Sequence, residues 1–119
     1  MPQRYESLSI WQRAHQWVLG VYRVTCQFPR SEAFGLVDQL RRSAASVPTN
    51  IVEGFGRRGT SDKLRFYNIA EASLNEADYH LRLAHDLGYA DTRSLRDEVG
   101  DISRMLAAYA ARVRSSSSD

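Results

Sequence analysis

The segment GFGRRG at residues 54–59 carries the glycine spacing of a dinucleotide-binding loop. Such a loop works where a strand precedes it and a helix follows, so that backbone amides meet a pyrophosphate at the helix start. Helical periodicity precedes it here, so it is predicted to be an interhelical turn. The turn still gathers cations. Arg57 and Arg58 stand beside Lys63 and Arg65, ahead of a helix N-terminus, and that combination suits the phosphates of a nucleic acid. Arg41 and Arg42 extend the candidate set on the preceding helix. The competing use of these charges is local pairing, Glu53 with Arg57 and Asp38 with Arg42, at i, i+4.

Other chemistries lack their residues. A di-iron bundle needs Glu-x-x-His pairs, and Glu76 and His80 stand at a four-residue step instead. Only Glu98 and Asp101 have the acidic spacing of an all-helical nucleotide pyrophosphatase, which is half of what a divalent ion requires. No Arg precedes His80 or His85 at the distance of a helical ribonuclease signature. His15 and His80 fall on apolar seams and read as core or interface histidines. Cys26 is the single cysteine, which excludes an internal disulfide and a cysteine zinc cluster. No catalytic residue, metal or cofactor is expected.

Helices must position these side chains. Pro stands at positions 2, 29 and 48 only, and apolar residues recur at three- and four-residue steps. The first helix is predicted over 8–28, with the capping-box spacing of Ser9 and Gln12 at its start and Pro29 closing it. It carries two apolar stripes: Ile10, Ala14, Trp17, Val21, Val24, Phe28, and Leu8, Trp11, His15, Val18, Tyr22. A face that wide exceeds what one neighbour covers. Trp11, Trp17, Tyr22 and Phe28 are therefore predicted to form a contact between copies, the alternative being that they close the ends of a well-packed monomer core. The second helix is predicted over 32–57, capped by Ser31 and kinked rather than broken at Pro48. Beside its apolar line of Leu36, Leu40, Val47 and Ile51 runs a polar one of Gln39, Ser43, Ser46, Asn50, Glu53 and Arg57.

The third helix is predicted over 62–87, capped by Thr60 or Ser61 and stopped by Gly88. Its seam reads Phe66, Ala70, Ser73, Ala77, His80, Ala84, Leu87, flanked by Tyr67, Leu74 and Leu81, with Asp78 and Arg82 in ion-pairing register. The fourth is predicted over 92–113, with Leu95, Val99, Ile102, Leu106, Tyr109 and Val113 inward. The run SSSSD at 115–119 reads as a disordered tail. These elements predict an all-α fold, an antiparallel up-down-up-down four-helix bundle over residues 1–114.

The chain has 119 residues, 43% of them hydrophobic and 25% charged, which suits one globular domain and excludes wholesale disorder. No apolar run approaches the roughly 18 residues of a membrane span, and the first residues lack a signal-peptide pattern, so a cytoplasmic protein is expected. The net charge of +2 conceals a split: ten basic against five acidic side chains through residue 65, then six against nine.

SLSIWQRAHQWVLGVYRVTCQFP, FGLVDQLRRSAASVPTNIVEGFGRRG and FYNIAEASLNEADYHLRLAHDLGY together resemble a known family. It comprises four-helix-bundle proteins encoded within intervening sequences of bacterial large-subunit ribosomal RNA, relatives of the accessory variability protein of diversity-generating retroelements. The most specific segment is QLRRSAASVPTNIVEGFGR, where Gln39, Arg41, Arg42, Ser46, Asn50, Ile51, Glu53, Gly54, Gly56 and Arg57 coincide with the family's pattern and Pro48 lies inside it. Val52 replaces the usual Ala, and Ala72 a common Gly. The resemblance implies a ring-like homopentamer. Its retroelement members bind nucleic acid and a cognate reverse transcriptase, and most other members have no established role. The expectation is a non-enzymatic oligomeric bundle that binds RNA or DNA through Arg41, Arg42, Arg57, Arg58, Lys63 and Arg65, with Gln39, Asn50 and Glu53 holding a polar edge. The alternative is a protein-interaction scaffold that binds no nucleic acid.

Overall fold

Steps of four and three residues wind Ile10, Ala14, Trp17, Val21 and Val24 onto one face of α1 (Ser9–Thr25), and that face is buried. The computed structural model describes residues 4–116 and adds α2 (Leu36–Gly56), α3 (Thr60–Asp86) and α4 (Arg93–Ser116). No strand occurs among the described residues. Each helix packs on its chain neighbours and α4 returns to α1, which is the antiparallel four-helix arrangement, 52 × 23 × 20 Å in extent. Among the described residues no helix is long and apolar enough to cross a membrane.

The core runs the length of the bundle. Leu40, Ala44, Val47 and Ile51 of α2 meet Ala70, Leu74, Ala77 and Leu81 of α3, with Ile102 and Leu106 of α4 beyond. The α3 seam is rotated from the predicted one. Tyr67, Leu74 and Leu81 are buried, whereas Phe66 and Ser73 are half-buried and Leu87 is exposed. The larger apolar side chains fill the core, and Phe66 is covered by arginines instead.

Two of the four residues assigned to a contact between copies are not on the surface. Trp17 is 1% exposed and its indole N–H donates to the Leu95 carbonyl at 3.1 Å, tying α1 to α4. Phe28 is buried against the Tyr89 ring at 5.6 Å. The bundle has room for both because α4 closes over α1. Trp11 and Tyr22, from the second stripe, do stay partly in water, with Trp11 stacked on His15 at 4.8 Å.

Helix ends differ from the predicted ones for local reasons. Leu8, not Ser9, stands at the start of α1 with no side-chain cap, and Gln12 donates to the Glu6 carbonyl at 2.8 Å. Ser31 falls in a single 3₁₀ turn, Arg30–Glu32, so α2 begins only at Leu36. Glu32 does the capping: its carboxylate accepts from the Leu36 amide at 3.1 Å and from the Tyr89 hydroxyl at 2.7 Å. The Tyr89 bond first, then the amide, hold that carboxyl below its ordinary range. Between these elements Phe34 stands 99% exposed.

Helix α2 continues unbroken through the buried Pro48. Gly59 precedes α3 and supplies no side-chain cap, so neither Thr60 nor Ser61 takes that role. Gly88 ends α3 as predicted, at φ 78°, a left-handed conformation that favours glycine, with Tyr89 N–H bonded back to the Ala84 carbonyl. Asp78 does not pair with Arg82. It binds Arg96 of α4 through both oxygens at 3.0 and 3.3 Å, while Arg82 takes Asp86. Ser115 and Ser116, assigned to the tail, extend α4 and bond the Arg112 and Val113 carbonyls; residues 117–119 lie outside the described residues.

The Tyr67 hydroxyl is buried with no hydrogen-bond partner among the described residues. Burial, then the neighbouring Tyr109, raises its pKa above the ordinary tyrosine value. An unpaired buried hydroxyl costs stability. Tyr67→Phe should therefore leave the urea midpoint unchanged or raise stability by up to about 1 kcal/mol. A loss of more than about 1 kcal/mol would show that the hydroxyl has a partner after all.

Candidate nucleic-acid interface

Helix α2 stops at Gly56, Arg57 turns extended, and α3 restarts at Thr60, so GFGRRG is an interhelical turn and not a strand-to-helix loop. Phe66, on the first turns of α3, carries a guanidinium from each of two arginines: Arg57 at 4.6 Å and Arg65 at 4.4 Å from the ring centre. Asp62 holds both, at 3.7 Å from Arg57 and 3.0 Å from Arg65, and Glu53 reaches Arg57 at 3.3 Å. Lys63 has a different task. Its ammonium donates to the Gly54 and Phe55 carbonyls at 3.2 and 2.9 Å, closing the negative end of α2. Arg58 is exposed and has no ion-pair or hydrogen-bond partner among the described residues. Exposed pairs of this kind contribute about 0–1 kcal/mol each, so phosphate oxygens can displace Glu53 and Asp62 at little cost.

The antiparallel fold adds cations that the linear reading missed. Helix α4 returns its C-terminus to this end, where Arg114 borders a groove of about 190 Å³ with Leu64 and Tyr67 of α3. Arg112 borders a second groove, of about 480 Å³, with Ser7 and Leu8, and lies 5.7 Å from the Tyr109 ring. The up-down topology was the signal that could have found them, because it returns the fourth helix to the α2–α3 turn.

Arg41 and Arg42 do not belong to this cluster. About 16 residues of α2 rise separate Arg41 from Arg57, roughly 24 Å. Arg41 turns toward α1, donating to the Thr25 hydroxyl at 2.8 Å and the Tyr22 carbonyl at 3.3 Å, with its guanidinium 4.6 Å over the Tyr22 ring. Arg42 pairs with Asp38 at 2.9 Å. The six predicted cations thus fall into two sets because α2 holds them at its opposite ends.

The polar line of α2 faces α3. Ser43 meets the buried His80 at 3.5 Å, Ser46 meets Ser73 at 2.8 Å, and Asn50 donates to the Ser46 carbonyl and hydroxyl at 2.8 and 2.9 Å. Gln39 and Glu53 stay exposed at its margins. Gly54 is buried under the Tyr67 ring, whereas a side chain at Gly56 would meet open space. Among the described residues no three His, Cys, Asp or Glu side chains gather as a metal site.

The family model of the 23S rRNA-intervening sequence protein matches residues 6–108. The chain belongs to that family. The family match spans α1, α2, α3 and much of α4, and Arg112 and Arg114 lie beyond it. A solved structure from the S23 ribosomal protein family of Bacteroides thetaiotaomicron, described as of unknown function, is 20% identical. It has a TM-score of 0.75 and covers 85% of this chain and 97% of its own, a likeness of fold. No curated protein matches the chain. Neither description names an enzyme.

Proposed function

We propose that this member of the family is a non-enzymatic, self-assembling bundle that binds RNA or DNA in the cytoplasm through its basic end. One observation carries the reading: the unpaired Arg58 stands beside two guanidiniums held on Phe66, at the end to which Arg112 and Arg114 return. Each phosphate neutralised there releases counterions, so affinity should fall steeply with salt. In the ring-like homopentamer that the resemblance implies, the same end recurs five times, and weak contacts become multivalent. For a copy encoded within a retroelement, the cognate reverse transcriptase is the protein partner of this reading.

Fluorescence anisotropy with labelled RNA and DNA across a salt series tests it. Arg57→Ala with Arg58→Ala should lower affinity about tenfold and flatten the log–log salt slope by roughly 1–2. Absence of retention at low salt would remove the reading. The exposed apolar residues Phe34 and Tyr79 favour a second reading, a protein-interaction scaffold, whose arginines leave the salt series unaffected.

A further inference from the structure

The groove of about 190 Å³ between α3 and α4 opens at the basic end of the bundle. It is smaller than the roughly 300–1,000 Å³ of a drug-sized site, so it suits a single planar ring system. Leu64, Leu106 and Ala110 give it apolar walls, and Tyr67, 2% exposed, lies at its base. Its polar groups are not used up by the fold. Ser103 donates to one Glu71 carboxylate oxygen at 2.7 Å, which holds that side chain between the two helices. The second oxygen has no partner, and Glu71 has no cation beside it, among the described residues. The Asn68 side-chain amide likewise has no partner among them, and the Tyr67 hydroxyl is buried without one. Arg114 borders the same groove from the end of α4.

We infer that this groove seats one unpaired adenine or cytosine of a nucleic-acid strand whose phosphates lie on the arginines of the basic end. The inference deepens the nucleic-acid reading above and rests on it. An unpaired carboxylate repels phosphate, so Glu71 favours the base inside the groove and leaves the backbone outside, toward Arg114. Adenine and cytosine each set an exocyclic amine beside an unprotonated ring nitrogen on the Watson–Crick edge. The amine donates to the open Glu71 oxygen. The ring nitrogen accepts from the two donors that the protein alone leaves unused, the Asn68 amide at the rim and the Tyr67 hydroxyl below it. Uracil and thymine present an N–H flanked by carbonyl oxygens, which sets oxygen against the carboxylate, and guanine presents an N–H where an acceptor is needed. In a duplex these edges are already paired, so the groove reads a single strand. The path is short. Phe66 and its guanidiniums stand on the same turns of α3 as Leu64 and Asn68, but on its other side. A helix is about 10–12 Å across, roughly three nucleotides at 3.4 Å each, so one strand spans both places.

Fluorescence anisotropy at low salt with labelled oligo(U), and with the same strand carrying one central cytidine or one central adenosine, tests this. The substituted strands should bind about tenfold more tightly than oligo(U), and annealing the complement should abolish the preference. Glu71→Gln keeps a partner for Ser103 but offers an N–H as readily as an oxygen, and should bring the strands within about twofold of one another. Asn68→Ala with Tyr67→Phe should weaken the substituted strands alone, by about fivefold, with no fall in the urea midpoint. Equal affinity for the unaltered chain, a preference that survives Glu71→Gln, or indifference to the double variant would each overturn the inference. Salt-dependent binding of all the strands would then leave the reading of the basic end intact. Retention of none of them at low salt would remove that reading, and the inference with it.

Discussion

Trp17→Ala should lower unfolding stability by about 3–5 kcal/mol, the range for emptying a buried aromatic site. Domains of this kind hold about 5–15 kcal/mol in total, so the variant should be marginal at ambient temperature. The dominant loss is packing, because the indole is 1% exposed between α1 and α4. Its N–H bond to the Leu95 carbonyl adds about 1 kcal/mol. Trp17→Phe should therefore retain much of the stability. Urea unfolding of the two variants checks this, read at two protein concentrations. If Trp17 belonged to a contact between copies, the loss would grow on dilution. A concentration-independent change below about 1 kcal/mol would contradict its place in the core.

Gly54→Ala should cost about 1–2 kcal/mol net, although alanine is ordinarily the better helix residue. A Cβ there would lie 2.4 Å from one Tyr67 ring carbon and 2.9 Å from two more. The ring has nowhere to go, since it is buried and stands edge-to-face with Tyr109 at 5.3 Å. Overpacking costs about 1–3 kcal/mol, against about 0.5–1 kcal/mol regained from helix propensity, so the clash wins. The sign should reverse once the ring is removed: in a Tyr67→Ala background, Gly54→Ala should stabilise. A double-mutant cycle by thermal unfolding tests this, and a loss that persists without Tyr67 would place its cause elsewhere.

The four-helix arrangement was readable because apolar steps of three and four residues persist along every helix. Orientation within a helix was harder. Phe66 and Tyr67 are one residue apart, and periodicity alone did not say which would face inward. Tyr67 wins because Gly54 makes room for it, and Phe66 turns out to serve two guanidiniums. Trp17 and Trp11 lie on adjacent stripes, and only the closure of α4 separates a core residue from a half-exposed one. The α2 cap was misplaced because a 3₁₀ turn intervenes, and Glu32, next to Ser31 and four residues before Leu36, supplies the bond instead. In the candidate site, Arg57, Arg58, Lys63 and Arg65 are neighbours in sequence and so were found together. Arg41 was misplaced because its partners, Thr25 and Tyr22, stand on another helix, and Arg112 and Arg114 were missed because only topology brings them near.

Phe34 stands in the α1–α2 connection, at the far end from the arginine-bearing turn. The long axis is thus vectorial: one pole gathers guanidiniums around Phe66, and the other displays a bare aromatic ring. Copies arranged with their helices pointing the same way would inherit a top and a bottom that differ. On the proposed function, such a particle would take a nucleic-acid strand from one side only and leave its underside for an apolar contact.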